Sequence, residues 1–252
     1  MDTEVRDDSV ESVLSTHGRR SLMAQPVVLA LPFTGRSLVQ NSPARRVPSH
    51  GVDMLGQRYA TDFVGVDERG RTSPLRDWRT VLASEPPERF VAFGRPLLAP
   101  VDGVVVAAHD GEPDHEARRS QLALVPYAVG QAGRRRQGPA AIAGNYLVIR
   151  DDVSGMFVAL AHLRRGSQRV RVGDRVRVGA ALADCGNSGN STQPHVHLQV
   201  MDSADLTLAR GMPVAFARYC ERARRGRRSP RDVAVGVPAE GAVVEPSGAA
   251  AS

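Results

Sequence analysis

The sequence predicts a mainly β protein, an all-β sandwich or barrel, and three observations carry that expectation. Short β-type runs recur along the chain; Gly, Pro and Asp separate them; and 252 residues, 42% of them hydrophobic, suffice for a sizeable core without staples. In order the runs are Pro26 to Pro32, Arg58 to Val66, Gly103 to Ala108, Asn145 to Arg150, Met156 to Leu163, Arg169 to Val172, Ala180 to Asp184 and His195 to Met201. Two long interruptions read as loop insertions: Asp67 to Arg95, with the only tryptophan, Trp78, and Asp110 to Ala143, with Arg134, Arg135 and Arg136. A short helix is expected around Pro213 to Arg225, leading into a basic arm that ends at Arg231. Residues 1–25 and the Ala-, Gly-, Pro- and Glu-rich stretch from about Val237 to Ser252 lack apolar periodicity and read as disordered. The expected division is therefore an N-terminal arm at 1–25, a β domain at 26–215, and a basic helix or arm with a disordered tail at 216–252.

Composition excludes several function classes. Lys plus Arg number 33 against 27 Asp plus Glu, a formal net charge of +6, and every one of those cations is arginine. Without lysine, Schiff-base chemistry and lysine-linked cofactors are ruled out. This matters because Pro100-Val101-Asp102-Gly103-Val104-Val105 and Val172-Gly173-Asp174-Arg175-Val176 also read like the hairpins of biotinyl and lipoyl carrier domains. Aromatic residues make up 4% of the chain, too few to interleave with the arginines, so nucleic-acid binding is not expected. No apolar run approaches the ~20 residues a membrane helix needs. Met1 to Ser12 is acidic, and Leu22 to Phe33 is interrupted by Gln25, Pro26 and Pro32, so no secretory signal is read. The default location is cytoplasmic, or extracytoplasmic by an unrecognised route. Cys185 and Cys220 allow one bridge, with two free thiols preferred.

Seven histidines are present, and His195 and His197 flank Val196. On a strand, residues i and i+2 share a face, so the two imidazoles project together and can build a metal site. The run from Gly186 through Asn187, Ser188, Gly189, Asn190, Ser191, Thr192, Gln193 and Pro194 to His195-Val196-His197-Leu198 closely resembles the signature of the lysostaphin-type (LytM-like) zinc metallopeptidases. Leu160-Ala161-His162-Leu163 resembles that family's "Tyr-x-His-Leu" strand. Val170 to Gly179 resembles its "Val-x-x-Gly-Asp-x-Val-x-x-Gly" turn, and Pro96 to Val106 its leading hairpin. The resemblance spans about residues 45 to 200. It implies a barrel-sandwich hybrid (duplicated hybrid motif) fold, here with two long insertions and a short C-terminal helix. It also implies one Zn2+ per chain and hydrolysis of peptide bonds, peptidoglycan crosslinks in particular, through a zinc-activated water.

Carried over residue by residue, the resemblance implies His197 as a ligand and His162 and His195 as the catalytic histidines. The Asp ligand is best matched by Asp62 in Arg58-Tyr59-Ala60-Thr61-Asp62-Phe63-Val64. The family's first His stands four residues earlier, where this chain has Arg58, a permanent cation that cannot ligate zinc. Gln57 to Phe63 resembles members that place the first His on a longer loop, which makes His50 the first ligand. Two alternatives stay open: a His50 and Asp53 pair, and an altered site in a catalytically silent relative that acts as a binding or regulatory module. Asn187, Asn190 and Thr192 are candidates to hydrogen-bond ligands or substrate, or else simply to build the turn. His17, His109 and His115 are read as bystanders beside charged or disordered segments.

Overall fold

A strand whose two faces both meet apolar neighbours reads as a near-continuous apolar run, and the central strands of this chain have that character. The computed structural model describes residues 25–75, 77–78, 80, 83–118, 138–223 and 229–248. Along the described chain run strands β1 (Val27–Leu29), β2 (Ser37–Gln40), β3 (Thr61–Gly65), β4 (Pro96–Leu98), β5 (Gly103–His109), β6 (Asn145–Asp151) and β7 (Phe157–Leu163). They continue as β8 (Arg175–Val176), β9 (Ala181–Asp184), β10 (Val196–Met201), β11 (Val214–Ala223), β12 (Arg231–Gly236) and β13 (Ala242–Pro246). The main sheet has the order β1-β11-β13-β2-β3-β10-β7-β6-β5-β8, with β12 also paired to β11, while β4 and β9 form a separate ribbon. The protein is mainly β, as the sequence predicts.

Alternation sorts the two faces. From β10, Val196, Leu198 and Val200 enter the large core with Phe63 of β3, Leu147 and Ile149 of β6, and Val158 and Leu160 of β7. On the opposite face Val148, Ala159, Met201 and Leu206 make a second, smaller apolar cluster. His197 and Gln199 stand on that second face, beside Ala161 and Ala159 of β7 in antiparallel register. The functional side chains therefore rise from the centre of a sheet whose other face is locked in the core.

The chain differs from expectation at its C-terminal end. Residues 214–223 form β11, not a helix, and β11 pairs with β1, β12 and β13. The physical reason is the set Val214, Phe216 and Tyr219, all buried in the main core. An Arg218 backbone at φ 50° shifts the alternation so that Tyr219 also turns inward. Phe216 and Tyr219 stand three residues apart, a spacing that also suits a helix, and the left-handed Arg218 backbone is what lets both face the core from a strand. The tail is likewise not disordered through residue 248, because Val243 closes a cluster with Leu38, Val64 and Val66. The β domain thus extends past 215 through β13, and the division at 216 does not hold. Residues 224–228 and 249–252 lie outside the described residues, as do the N-terminal arm at 1–24 and Arg134 to Arg136. Arg169 to Val172 is also not a strand; the ladder forms at β8 instead, after the Asp174 carboxylate accepts the Arg171 N–H.

Glu245 of β13 accepts from Arg36 Nε at 3.0 Å and from Arg222 Nη2 at 2.6 Å, tying β13 to β11 and to the segment before β2. Burial alone would raise this carboxyl, but the two guanidinium groups hold it below the usual carboxylate range. A carboxylate held low in the folded state stabilises at pH above its unfolded value, and that contribution is lost as pH falls through the folded value. Glu245→Gln is expected to lower unfolding free energy by about 1 kcal/mol at pH 7, with the difference from the parent vanishing in acid. Urea unfolding across pH measures it; a constant difference at all pH values contradicts the assignment.

Candidate metal centre and active site

Four imidazoles and one carboxylate meet on the second face. Register places Asp62 of β3 directly across from His197 of β10, so a sequence separation of 135 is closed by one antiparallel pairing. His50 arrives from the loop after β2. One donor atom each from His50, Asp62 and His197 lies within 4.8 Å of the others, a set that could hold a metal ion. Asp62 Oδ1 is 2.9 Å from His197 Nδ1 and 3.6 Å from His195 Nε2, while Oδ2 is 3.1 Å from His50 Nε2.

Arg58 does not enter this group. It turns away and pairs with Asp53, which thereby leaves the His50 and Asp53 alternative without its carboxylate. The one-turn helix at Gln57–Tyr59 makes this possible, because it carries Arg58 outward just before β3 starts.

His162 reaches the same face by a different device. On β7, Val158 and Leu160 point into the main core, and strict alternation would send His162 after them. Instead His162 has φ 63°, the β6–β7 register slips between Asn145 and Leu147, and Leu163 takes the core position. The bulge leaves His162 and Ala161 both lining the cavity, with the His162 ring 4.7 Å from that of His195.

Each ring has one nitrogen committed to the protein, which fixes the other for use. His162 Nδ1–H donates to the Ser188 carbonyl at 2.9 Å, and His195 Nδ1–H to the Gln193 carbonyl at 2.8 Å. His197 Nε2–H donates to Gln199 Oε1 at 2.9 Å, and Gln199 Nε2 donates onward to the Leu55 carbonyl at 2.7 Å. His50 Nδ1 lies 3.0 Å from Ser49 Oγ, whose hydroxyl donates to the Gln57 carbonyl. Nε2 of His50, His162 and His195 and Nδ1 of His197 are thus left as the available nitrogens, the tautomers a metal-ligating or proton-accepting site requires. His197 Nδ1 against Asp62 Oδ1 at 2.9 Å needs a proton or a cation between two lone pairs.

Burial alone would raise the Asp62 carboxyl, yet the facing imidazoles of His195 and His50 and the hydrogen bonds of His197 and His50 hold it well below the usual range. Burial lowers His162 far, helped by His195 and His197, and lowers His195 against the opposing pull of Asp62. For His197 burial is outweighed by Asp62, which raises it.

The turn from Gly186 to Thr192 holds these rings, and its own supports come from residues that the motif does not single out. Asn190 and Thr192 line the cavity, but Asn187 is fully buried and turned away, its Nδ2 donating to the His115 carbonyl at 2.7 Å. His115, read as a bystander, meets the Gly189 carbonyl through Nε2 at 2.9 Å. Asn145, Ser188, Gln199 and Asn41 were missed. Asn145 accepts the Gly111 and Glu112 N–H groups and donates to the Glu112 and Leu163 carbonyls, and Asn41 donates to Asp62 Oδ2 at 2.7 Å. Only Gln199, two residues beyond His197 on the same face, carried a usable signal in its spacing.

Gly189 has φ 66°, and a Cβ there would stand 2.3 Å from the Gly144 nitrogen. Gly189→Ala is expected to cost about 2 kcal/mol or more, from the left-handed backbone and the displaced contact together. Thermal unfolding measures it, and an unchanged Tm contradicts the close approach.

Fold and donor set together define a mainly β protein with four histidines and a carboxylate clustered on one face, three of whose donors could hold a metal ion. Residues 123–209 match the model of Peptidase family M23, the family that the motifs resemble; His162, His195 and His197 fall inside the match, while His50 and Asp62 precede it. Solved structures are similar at low identity. The catalytic domain of lysostaphin from Staphylococcus simulans is 17% identical, with 71% of this chain and 88% of that chain covered and a TM-score of 0.36. A zinc containing peptidase from Vibrio cholerae is 22% identical, covering 62% and 45%, with a TM-score of 0.31. Csd3 from Helicobacter pylori is 14% identical, covering 82% and 37%, with a TM-score of 0.34. The chain spans less than half the length of the last two. No curated protein matches the chain. Among the described residues no helix is long and apolar enough to cross a membrane, and Cys185 and Cys220 are both free thiols.

Proposed function

We propose that the protein is a zinc-dependent metalloendopeptidase that cleaves peptide bonds, with peptidoglycan crosslinks as its substrate class. The observation that carries this reading is the convergence of His50, Asp62 and His197 within 4.8 Å, with His162 and His195 beside them on one face of the sheet. Two imidazoles and a carboxylate are the donors a catalytic zinc site uses, leaving a coordination position for substrate. A zinc ion held there supplies Lewis acidity toward a scissile carbonyl and acidifies water near neutral pH. His50 Nε2, Asp62 and His197 Nδ1 hold the ion in this reading, and Ser49 and Gln199 fix the two ring orientations.

His195 and His162 do the proton work. Each keeps Nδ1–H on a backbone carbonyl and presents Nε2, and burial shifts both below the ordinary imidazole range, toward the neutral form that can accept a proton and then hold it beside developing negative charge. The peptidase match over 123–209 supports the same reading.

The test is hydrolysis of purified peptidoglycan and of glycine- and alanine-containing peptides before and after chelation. Activity lost with a chelator and restored by zinc alone is expected. Activity that persists after complete zinc removal contradicts the proposal, as does a zinc-loaded protein inert on every substrate.

A further inference from the structure

The second long interruption, which begins at Asp110, does more than link β5 to β6. Its first residues, 110–118, lie as a strap across two turns: the one after β7, which carries His162, and the one at Gly186 to Thr192, which leads into His195. Both Asp110 carboxylate oxygens accept the Gly166 N–H, at 2.9 and 3.1 Å. Asp114 bridges the two turns with a single carboxylate, Oδ2 accepting the Arg165 N–H at 3.1 Å and Oδ1 the Asn187 N–H at 2.7 Å. His115 continues the line: its Nε2–H donates to the Gly189 carbonyl at 2.9 Å, and its own carbonyl accepts from Asn187 Nδ2 at 2.7 Å. Gly186 leaves the room this needs, since a Cβ there would collide with Asp114 Oδ1 and the Arg164 backbone.

The residue enclosed by these anchors is Ser188. Asp114 holds the N–H of Asn187 before it, and His115 holds the carbonyl of Gly189 after it. The Ser188 carbonyl accepts the His162 Nδ1–H at 2.9 Å, and because peptide groups are planar it can swing only if its neighbours turn with it. In a neutral imidazole one nitrogen carries the proton, and the hydrogen bond at that nitrogen decides which. A Ser188 carbonyl swung away would leave Nδ1–H without its acceptor. The proton could then sit on Nε2, the nitrogen that faces the cavity, where the ring can no longer accept one.

Resting on the endopeptidase reading, we propose that Asp114 and His115 are positioning residues for His162. By clamping both sides of Ser188 they fix the carbonyl that holds the Nδ1–H tautomer, and so keep Nε2 open for proton transfer. The segment from Asp110, which reads from the sequence as a loop insertion around bystanders, then acts on the reaction through His162.

The experiment compares the zinc-loaded parent, Asp114→Ala, His115→Leu and His115→Gln for zinc content, kcat, KM and the His162 tautomer by imidazole nitrogen NMR. Asp114→Ala and His115→Leu are expected to keep their zinc and a KM within about twofold of the parent while kcat falls at least about tenfold, since a catalytic group misplaced by about 1 Å costs up to about a hundredfold. His115→Gln keeps an N–H donor for the Gly189 carbonyl and is expected to recover most of the kcat that His115→Leu loses. The His162 proton is expected on Nδ1 in the parent and partly on Nε2 in the two damaging variants. Asp114→Ala added to His162→Ala is expected to lower kcat no further, because residues that act as a unit are not additive.

Parent-like kcat in both damaging variants overturns the clamp, as does zinc lost together with kcat, an unchanged His162 tautomer, no recovery in His115→Gln, or a further large fall in the His162→Ala background. If Asp114→Ala does not fold, the two His115 variants decide by the same readouts. A zinc-loaded parent that cleaves no peptide overturns the endopeptidase reading, and the His162 tautomer in the variants still decides the clamp.

Discussion

Asp62→Ala is expected to abolish stoichiometric zinc binding and peptide hydrolysis together. Asp62 is the hub of the cluster: both of its oxygens face imidazoles, Oδ1 toward His197 and His195 and Oδ2 toward His50, and Asn41 donates to Oδ2. Removing it takes one donor of three and leaves buried rings without the only carboxylate that lines their cavity among the described residues. Loss of a mere hydrogen-bond partner behind a metal ligand costs about 10–100-fold in affinity, so loss of the ligand is expected to cost at least 100-fold. Without bound ion the protein also loses the stabilisation that binding gives, about 4 kcal/mol where zinc is a thousandfold above its Kd. Calorimetric titration with zinc and a Tm with and without chelator measure both. Parent-like affinity in Asp62→Ala contradicts the ligand assignment.

The second large effect separates binding from catalysis. His195→Ala and His162→Ala are each expected to lower kcat/KM by about 10²–10⁴-fold while zinc stays bound, because neither ring is in the three-donor set yet both line its cavity. His195 Nε2 stands 3.6 Å from Asp62 Oδ1, beside the donors without replacing one. The double variant is expected to fall little further than the worse single one, since residues that act as a unit are not additive. Loss of zinc in either variant moves that histidine from the catalytic set to the ligand set, and full activity removes it from both.

Much of this site is legible in the sequence because its strands alternate strictly. His195 and His197 two residues apart, followed by Leu198 and Val200 for the core, place two imidazoles on the face opposite the core without further information. Asp62 follows only through the family resemblance, whose Asp is likewise followed by an apolar strand. His162 is a different case: its motif is visible, but its direction depends on a bulge and a left-handed backbone that a local pattern does not reveal. His50 lies twelve residues from Asp62, and only the outward turn at Gln57–Tyr59 explains why Arg58, at the shorter spacing, stays out of the cluster and pairs with Asp53.

The misread C-terminal end has the same root as the missed supports. Arginine and alanine between residues 213 and 225 suit a helix in isolation, but Phe216 and Tyr219 find the core only as a strand between β1, β12 and β13. Tertiary pairing overrides local propensity there. Asn145 and Ser188 were missed because their partners are backbone groups on the distant segments at Gly111, Glu112 and Leu163, and such partners leave no spacing to read.

The most direct test of the central claim is zinc content by elemental analysis of the purified protein and of His50→Ala, Asp62→Ala, His197→Ala and Asp53→Ala after identical zinc reconstitution. One zinc per chain is expected in the parent and in Asp53→Ala, and none in the other three. A parent without zinc, or zinc lost from Asp53→Ala and kept by Asp62→Ala, contradicts the account.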